Sequence, residues 1–102
     1  MTEIERRDAS HALDRKVVAP EGVLAKELDG EAVLLDLTTE TYFGLNATGF
    51  RMWRVLTDAP SIAAAIDILG VEYDVAPDEL RRDVLELLGE LERKGLVRIG
   101  HA

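Results

Sequence analysis

The sequence predicts an α+β fold in which a three-stranded antiparallel sheet is followed by three helices, in the order β-β-β-α-α-α. Three observations carry that expectation. Asp29-Gly30 sits between two runs of strand-forming residues, and an Asp-Gly pair favours a tight hairpin because its backbone tolerates positive φ. After Asn46 the apolar spacing changes from alternation to a helical period. Beyond that switch, Asn46, Ser61, Pro77 and Gly95 stand where helices start and stop. Strands first and helices afterwards gather the helices on one face of a small sheet.

The first strand is expected at Val23–Leu28, where Val23, Ala25 and Glu27 alternate with Leu24, Lys26 and Leu28. The second is Ala32–Leu37, with Val33, Leu35 and Leu37 sharing a face. A turn at Thr38-Thr39-Glu40 leads to the third, Thr41–Leu45, with Phe43 and Leu45 on one face and Tyr42 and Gly44 on the other. Short connections make these strands an antiparallel meander whose third strand is an edge. Asn46 is a good N-cap for a helix from Ala47 to about Leu56, with Gly49, Trp53 and Leu56 on one face and Phe50 beside them. Asp58-Ala59-Pro60-Ser61 breaks it, and Ser61 caps a second helix through Ile62, Ala65, Ile66 and Leu69. Gly70 loosens its end, and Tyr73 is expected to close over the core. Pro77, Asp78 and Glu79 suit a first turn of a third helix that runs to about Lys94 and stops at Gly95. Leu96–Ile99 is a short extended tail, free to return to the sheet.

The chain of 102 residues fits one domain, expected at residues 17–99 after a polar arm at 1–16. Its net charge is −8, and the arm is balanced, so the whole surplus lies in the folded part. An acidic domain repels phosphate backbones. With no cysteine there is no disulfide, thiolate metal site or cysteine nucleophile. The N-terminus has no apolar signal core and no run is long enough to cross a membrane, so the expectation is a cytoplasmic protein without membrane attachment.

No catalytic residue, metal or cofactor is expected. His11 and His101 lie near the chain ends, outside any pattern. Ser61 reads as a helix cap, and Ser10 lies in the arm. Asp83, Glu86 and Glu90 share one side of the third helix and read as a solvated face compensated by Arg81 and Arg82.

Two other features are more informative. Leu80, Val84, Leu87 and Leu91 form a core stripe on the third helix, with Leu85 and Leu88 on an adjoining face. Those two leucines either widen the buried face or line a groove. The third strand, Thr41–Leu45, is an edge without lysine or proline, a template for adding another strand. Alternatively the tail at Val97–Ile99, or residues 1–16, covers that edge.

Several segments together carry a resemblance: Val33-Leu34-Leu35-Asp36, Tyr42 to Gly49, Tyr73-Asp74-Val75 before Asp78-Glu79, Asp83-Val84, and Gly95-Leu96-Val97. In order and spacing, over about residues 17–99, the chain resembles the PqqD family. That resemblance implies a winged-helix-like domain acting as a recognition element for ribosomally synthesised and modified peptides (RiPPs). It further implies a non-catalytic protein that binds the leader of a precursor peptide as an added antiparallel strand and presents it to a modifying enzyme or leader peptidase. Carried over by position, the peptide-binding residues are Tyr42, Phe43, Gly44 and Leu45 of the strand, with Arg81, Asp83, Val84, Leu85 and Leu88 of the helix. Two subtypes stay open, a stand-alone module of a lasso-peptide pathway and a partner of a radical-SAM enzyme in quinone-cofactor (PQQ) synthesis. The oligomeric expectation is a monomer or weak homodimer.

A winged helix also suggests a DNA-binding regulator, which wants a basic recognition helix. From Pro77 to Gly95 six acids (Asp78, Glu79, Asp83, Glu86, Glu90, Glu92) outnumber four bases (Arg81, Arg82, Arg93, Lys94). No nucleic-acid partner is expected.

Overall fold

The computed structural model describes residues 13–100. Ser10, His11, His101 and most of the expected arm lie outside them. The elements are β1 (Lys16–Val18), β2 (Val23–Leu28), β3 (Glu31–Asp36), β4 (Thr41–Leu45), α1 (Ala47–Asp58), α2 (Ile62–Glu72), α3 (Pro77–Arg93) and β5 (Arg98–Gly100). β2, β3 and β4 form the expected antiparallel meander, and the fold is α+β. A second, two-stranded sheet joins β1 to β5.

The hairpin between β2 and β3 turns at Asp29 (φ 57°) and Gly30 (φ 83°), the left-handed backbone that a two-residue loop requires. Its closure sets the register, with Leu28 opposite Glu31 and Val23 opposite Asp36. On the far side Leu34 faces Phe43 and Ala32 faces Leu45. Val23, Ala32, Leu34 and Leu45 are buried against the helices. The bulkier face of β3 is therefore the outer one: Val33 is 37% exposed, and Leu37, just beyond the strand, 64%. Alternation with a period of two leaves no other choice once Phe43 and Leu45 face the helices.

α1 is the centre of the molecule and packs against β1, β3, β4, α2 and α3. Asn46 starts it by accepting a hydrogen bond from the Gly49 N–H at 2.8 Å. At its end the Lys16 ammonium donates to the carbonyls of Thr57 (2.7 Å) and Ala59 (2.8 Å), groups that the helix itself leaves unpaired. Phe50, Met52, Val55 and Leu56 form its buried side. Ser61 caps α2, which buries Ile62, Ala65 and Leu69 and continues past Gly70 to Glu72. Tyr73 is half-buried against the core. α3 starts at Pro77, and the chain turns away at Gly95 with φ 73°.

Three expectations change. The buried stripe of α3 is Leu80, Val84, Leu88 and Leu91, while Leu87 is only half-buried. α2 meets that helix on the side of Arg81, a side that Leu88 shares two turns later, which turns the buried arc toward Leu88 and away from Leu87. The C-terminal tail does not return to the larger sheet; Val17 pairs with Ile99 in the smaller one. The folded part also begins before residue 17: the Leu13 carbonyl accepts from the Ala63 N–H and the Arg15 carbonyl from the Ile62 N–H, holding that segment against the start of α2. No helix among the described residues is long and apolar enough to cross a membrane.

Candidate peptide-binding edge

The site is assembled from main-chain groups first. The Leu37 N–H donates to the Gly22 carbonyl at 3.2 Å, so these residues form a hydrogen-bonded pair. Antiparallel ladders alternate such pairs with open ones, which makes Leu24–Leu35, Lys26–Val33 and Leu28–Glu31 the bonded pairs of β2 and β3. The intervening residues Ala32, Leu34 and Asp36 then bond to β4 at Leu45, Phe43 and Thr41. Tyr42 and Gly44 therefore turn their N–H and C=O groups away from the sheet. Among the described residues, β4 pairs with no strand other than β3. Its outer edge offers two donors and two acceptors in extended register.

A second wall stands beside that edge. Lys94, the residue that caps α3, holds its ammonium 5.8 Å from the centroid of the Phe43 ring. This brings the end of α3 against the inner face of β4. Glu90, Leu87 and Asp83 lie four, seven and eleven residues before Lys94 and share its side of the helix. Leu87 is half-buried, and Asp83 and Glu90 are exposed. The other side of α3 faces α2: Pro77, Asp78 and Arg81 border a depression of about 230 Å³ with Leu13, Ala63, Ile66 and Asp67.

The residues singled out in the sequence divide accordingly. Tyr42 is 71% exposed and Gly44 is exposed, both on the open edge, with Phe43 half-buried between them. Leu45 is 5% exposed and belongs to the core. Val84 and Leu88, at 0% and 3% exposed, are buried in the core. Arg81 is on the α2 side. Leu85 is half-buried on the outer side, among Asp78, Arg81, Arg82 and Glu86. Asp83 shares the flank that leads to Lys94, and its contact with Arg82 is a loose surface pair at 3.9 Å. Leu87 was expected in the core stripe and Lys94 only at the end of the helix, neither as part of a site. Their signal was the row Asp83–Leu87–Glu90–Lys94, one apolar residue among charges at helical spacing.

The chemistry available is hydrogen bonding and apolar contact. Among the described residues no three His, Cys, Asp or Glu side chains come together as a metal site would need. The clear electrostatic perturbation lies elsewhere, between α1 and α2. Arg51 donates to Glu72 at 2.9 Å through Nε and again through Nη2. Those hydrogen bonds hold the Glu72 carboxyl below the usual range and raise the Arg51 guanidinium above its own.

A small α+β domain whose β4 edge lies beside a helix is the class of protein that this fold defines. Residues 31–97 match the family model described as coenzyme PQQ synthesis protein D (PqqD), and the chain belongs to the PqqD family. The solved structure of TbiB1 in complex with the TbiA(beta) leader peptide is 35% identical, with a TM-score of 0.73 over 83% of this chain and 98% of that one. A lasso peptide synthetase B1 complexed with the leader peptide is 26% identical, with a TM-score of 0.72 over 81% of this chain and 98% of the other. No curated protein matches the chain in sequence. The resemblance read from the sequence is borne out.

Proposed function

We propose that this protein binds the leader segment of a ribosomally made precursor peptide and presents it to a modifying enzyme or leader peptidase. The carrying observation is the open edge of β4, with Tyr42 and Gly44 offering main-chain groups beside the α3 flank of Asp83, Leu87 and Lys94, in a chain similar to two leader-bound proteins. The leader adds antiparallel to β4. Its residue opposite Phe43 turns inward onto Phe43 and Leu87, because directly opposed residues share a face. Main-chain pairing supplies affinity, and the inward side chains supply selectivity. Catalysis belongs to the partner enzyme, and the work is done in the cytoplasm, where precursors are made. Similarity to a lasso peptide synthetase B1 complexed with the leader peptide favours a lasso-peptide pathway over quinone-cofactor synthesis.

The test is fluorescence anisotropy with two sets of labelled peptides: the TbiA(beta) leader, and the leaders of precursors encoded beside this protein. Amide shifts in NMR would then locate the contact. Saturable binding with shifts centred on Tyr42–Asn46 and on the Asp83–Lys94 flank is the expected result. Absence of binding by every such leader, or shifts confined to the β2 edge, would sink the reading.

A further inference from the structure

Gly44 has no conformational reason to be a glycine. Positive φ among the described glycines occurs at Gly30 and Gly95 alone, so the backbone at Gly44 accepts any residue. Nothing lies within 4 Å of the position where its Cβ would stand. A β-branched side chain there would suit the strand better than glycine, which weakens strand interiors. The empty space is therefore left for something else.

That space is on the outer face of the sheet, where Gly44 lies in a row with Val33 and Lys26. It forms a shallow depression of about 320 Å³ with Gly44 on its floor, bordered by Lys26, Leu28, Glu31 and Val33. On that border Leu28 and Val33 leave apolar carbon in water, at 75% and 37% exposed. Covering such carbon with another apolar group is favourable.

We propose that this depression receives one large apolar side chain, aromatic above all, from the peptide residue that pairs with Gly44. The inference rests on strand addition at β4 and specifies what the added strand must carry. Gly44 turns both main-chain groups outward, so an antiparallel peptide places one residue in hydrogen-bonded register with it. Cross-strand partners share a face, and that residue's side chain consequently stands over the outer depression and not in the α3 groove. A ring paired with glycine covers the backbone that glycine leaves bare. Lys26 at the border presents its stem to the ring and its charge to the ring face. The bound leader is thereby read on both faces, one residue inward on Phe43 and its neighbour outward over Gly44.

The experiment compares the wild-type protein with Gly44→Ala and Gly44→Val. It uses the labelled TbiA(beta) leader and a displayed library of random nonapeptides, with thermal melts as the control for folding. The expected result is a melting temperature for Gly44→Val equal to or above that of wild type, with peptide affinity at least about tenfold weaker and Gly44→Ala between the two. Peptides selected on wild type should carry Phe, Tyr, Trp or Leu at one fixed position, where those selected on Gly44→Val carry small residues. An alanine scan of the best-binding peptide on wild type gives a check that needs no protein variant. One large side chain should dominate and give nuclear Overhauser contacts to the Val33 methyl groups. Equal affinity of wild type and Gly44→Val with the same selected residue overturns the subsite alone. No binding by wild type to any peptide overturns strand addition and the subsite together.

Discussion

The central sheet has two edges, and they are built differently. On β2 the same alternation of hydrogen bonds turns the main-chain groups of Val23, Ala25 and Glu27 outward. Every residue of β2 after Val23 is exposed, and Lys26 and Glu27 interrupt the apolar pattern. Charges on an edge discourage the pairing of two such strands. On β4 no charged residue stands between Tyr42 and Leu45, Phe43 and Leu45 are packed inward, and α3 reaches the strand through Lys94. The difference teaches that an unpaired strand is only half of a binding site. Main-chain groups bind any extended peptide equally, and an adjoining wall is what allows side chains to be chosen.

The largest effect expected concerns that wall. Leu88 holds α3 in place from beneath, so Leu88→Ala should cost about 2–5 kcal/mol in urea denaturation, whereas Leu85→Ala on the outer side should cost under about 1 kcal/mol. Peptide binding would fall in Leu88→Ala through loss of the folded state. A stable Leu88→Ala protein with specifically weakened binding would instead make Leu88 a groove residue. The comparison between edges is tested next by proline, which removes an N–H without breaking the sheet when that N–H faces outward. Tyr42→Pro should weaken leader binding by about tenfold or more, as one main-chain hydrogen bond is lost and the ring obstructs the approach of a strand. Ala25→Pro makes the same change on β2 and should leave binding unaltered. Equal losses from the two prolines would remove the distinction between the edges.

A smaller change is expected from Lys94→Ala. An exposed cation over an aromatic ring contributes about 0.5–1 kcal/mol, so thermal stability should drop slightly. Leader affinity should fall by no more than a few-fold as Phe43 loses its cover.

The fold was legible because its signals are local. Asp29-Gly30, Asn46, Ser61 and Gly95 each act within a few residues, and each stands where the chain turns or a helix starts or ends. The open edge was legible too, from the lack of charge in Tyr42–Leu45. What the sequence concealed depends on how elements rotate against each other. Leu87 and Leu88 are adjacent leucines, and which of them is buried follows from where α1 and α2 lie, which no helical period contains. The outward face of Val33 and Leu37 was hidden for a similar reason, since it is the bulkier of the two and only the register with Phe43 and Leu45 turns it to water. Pairing of the tail with β1 depends on Lys16–Val18, a segment too short to announce a strand.

The smallest expected effect tests whether the helical half of the molecule is mere support for the two edges. Arg51 and Glu72 join α1 to α2 across a surface where both side chains stay partly exposed, and neither belongs to β4 or α3. The Glu72 carboxyl titrates below its usual range because the Arg51 guanidinium hydrogen-bonds to its ionised form. In the unfolded chain that partner is lost and the carboxyl binds its proton more readily. The stabilisation is therefore complete above the ordinary glutamate range and is lost as pH falls through the lowered, folded value. Exposure and salt screening keep it small. Thermal melts of wild type and Glu72→Gln should differ slightly at pH 7 and converge as the pH is lowered through the glutamate range, with the difference also shrinking in high salt. Leader affinity at pH 7 should be the same for both proteins. If Glu72→Gln changed affinity as much as Tyr42→Pro, the site would extend through α1 to α2, and the contrast between the two sheet edges would not be enough to explain it.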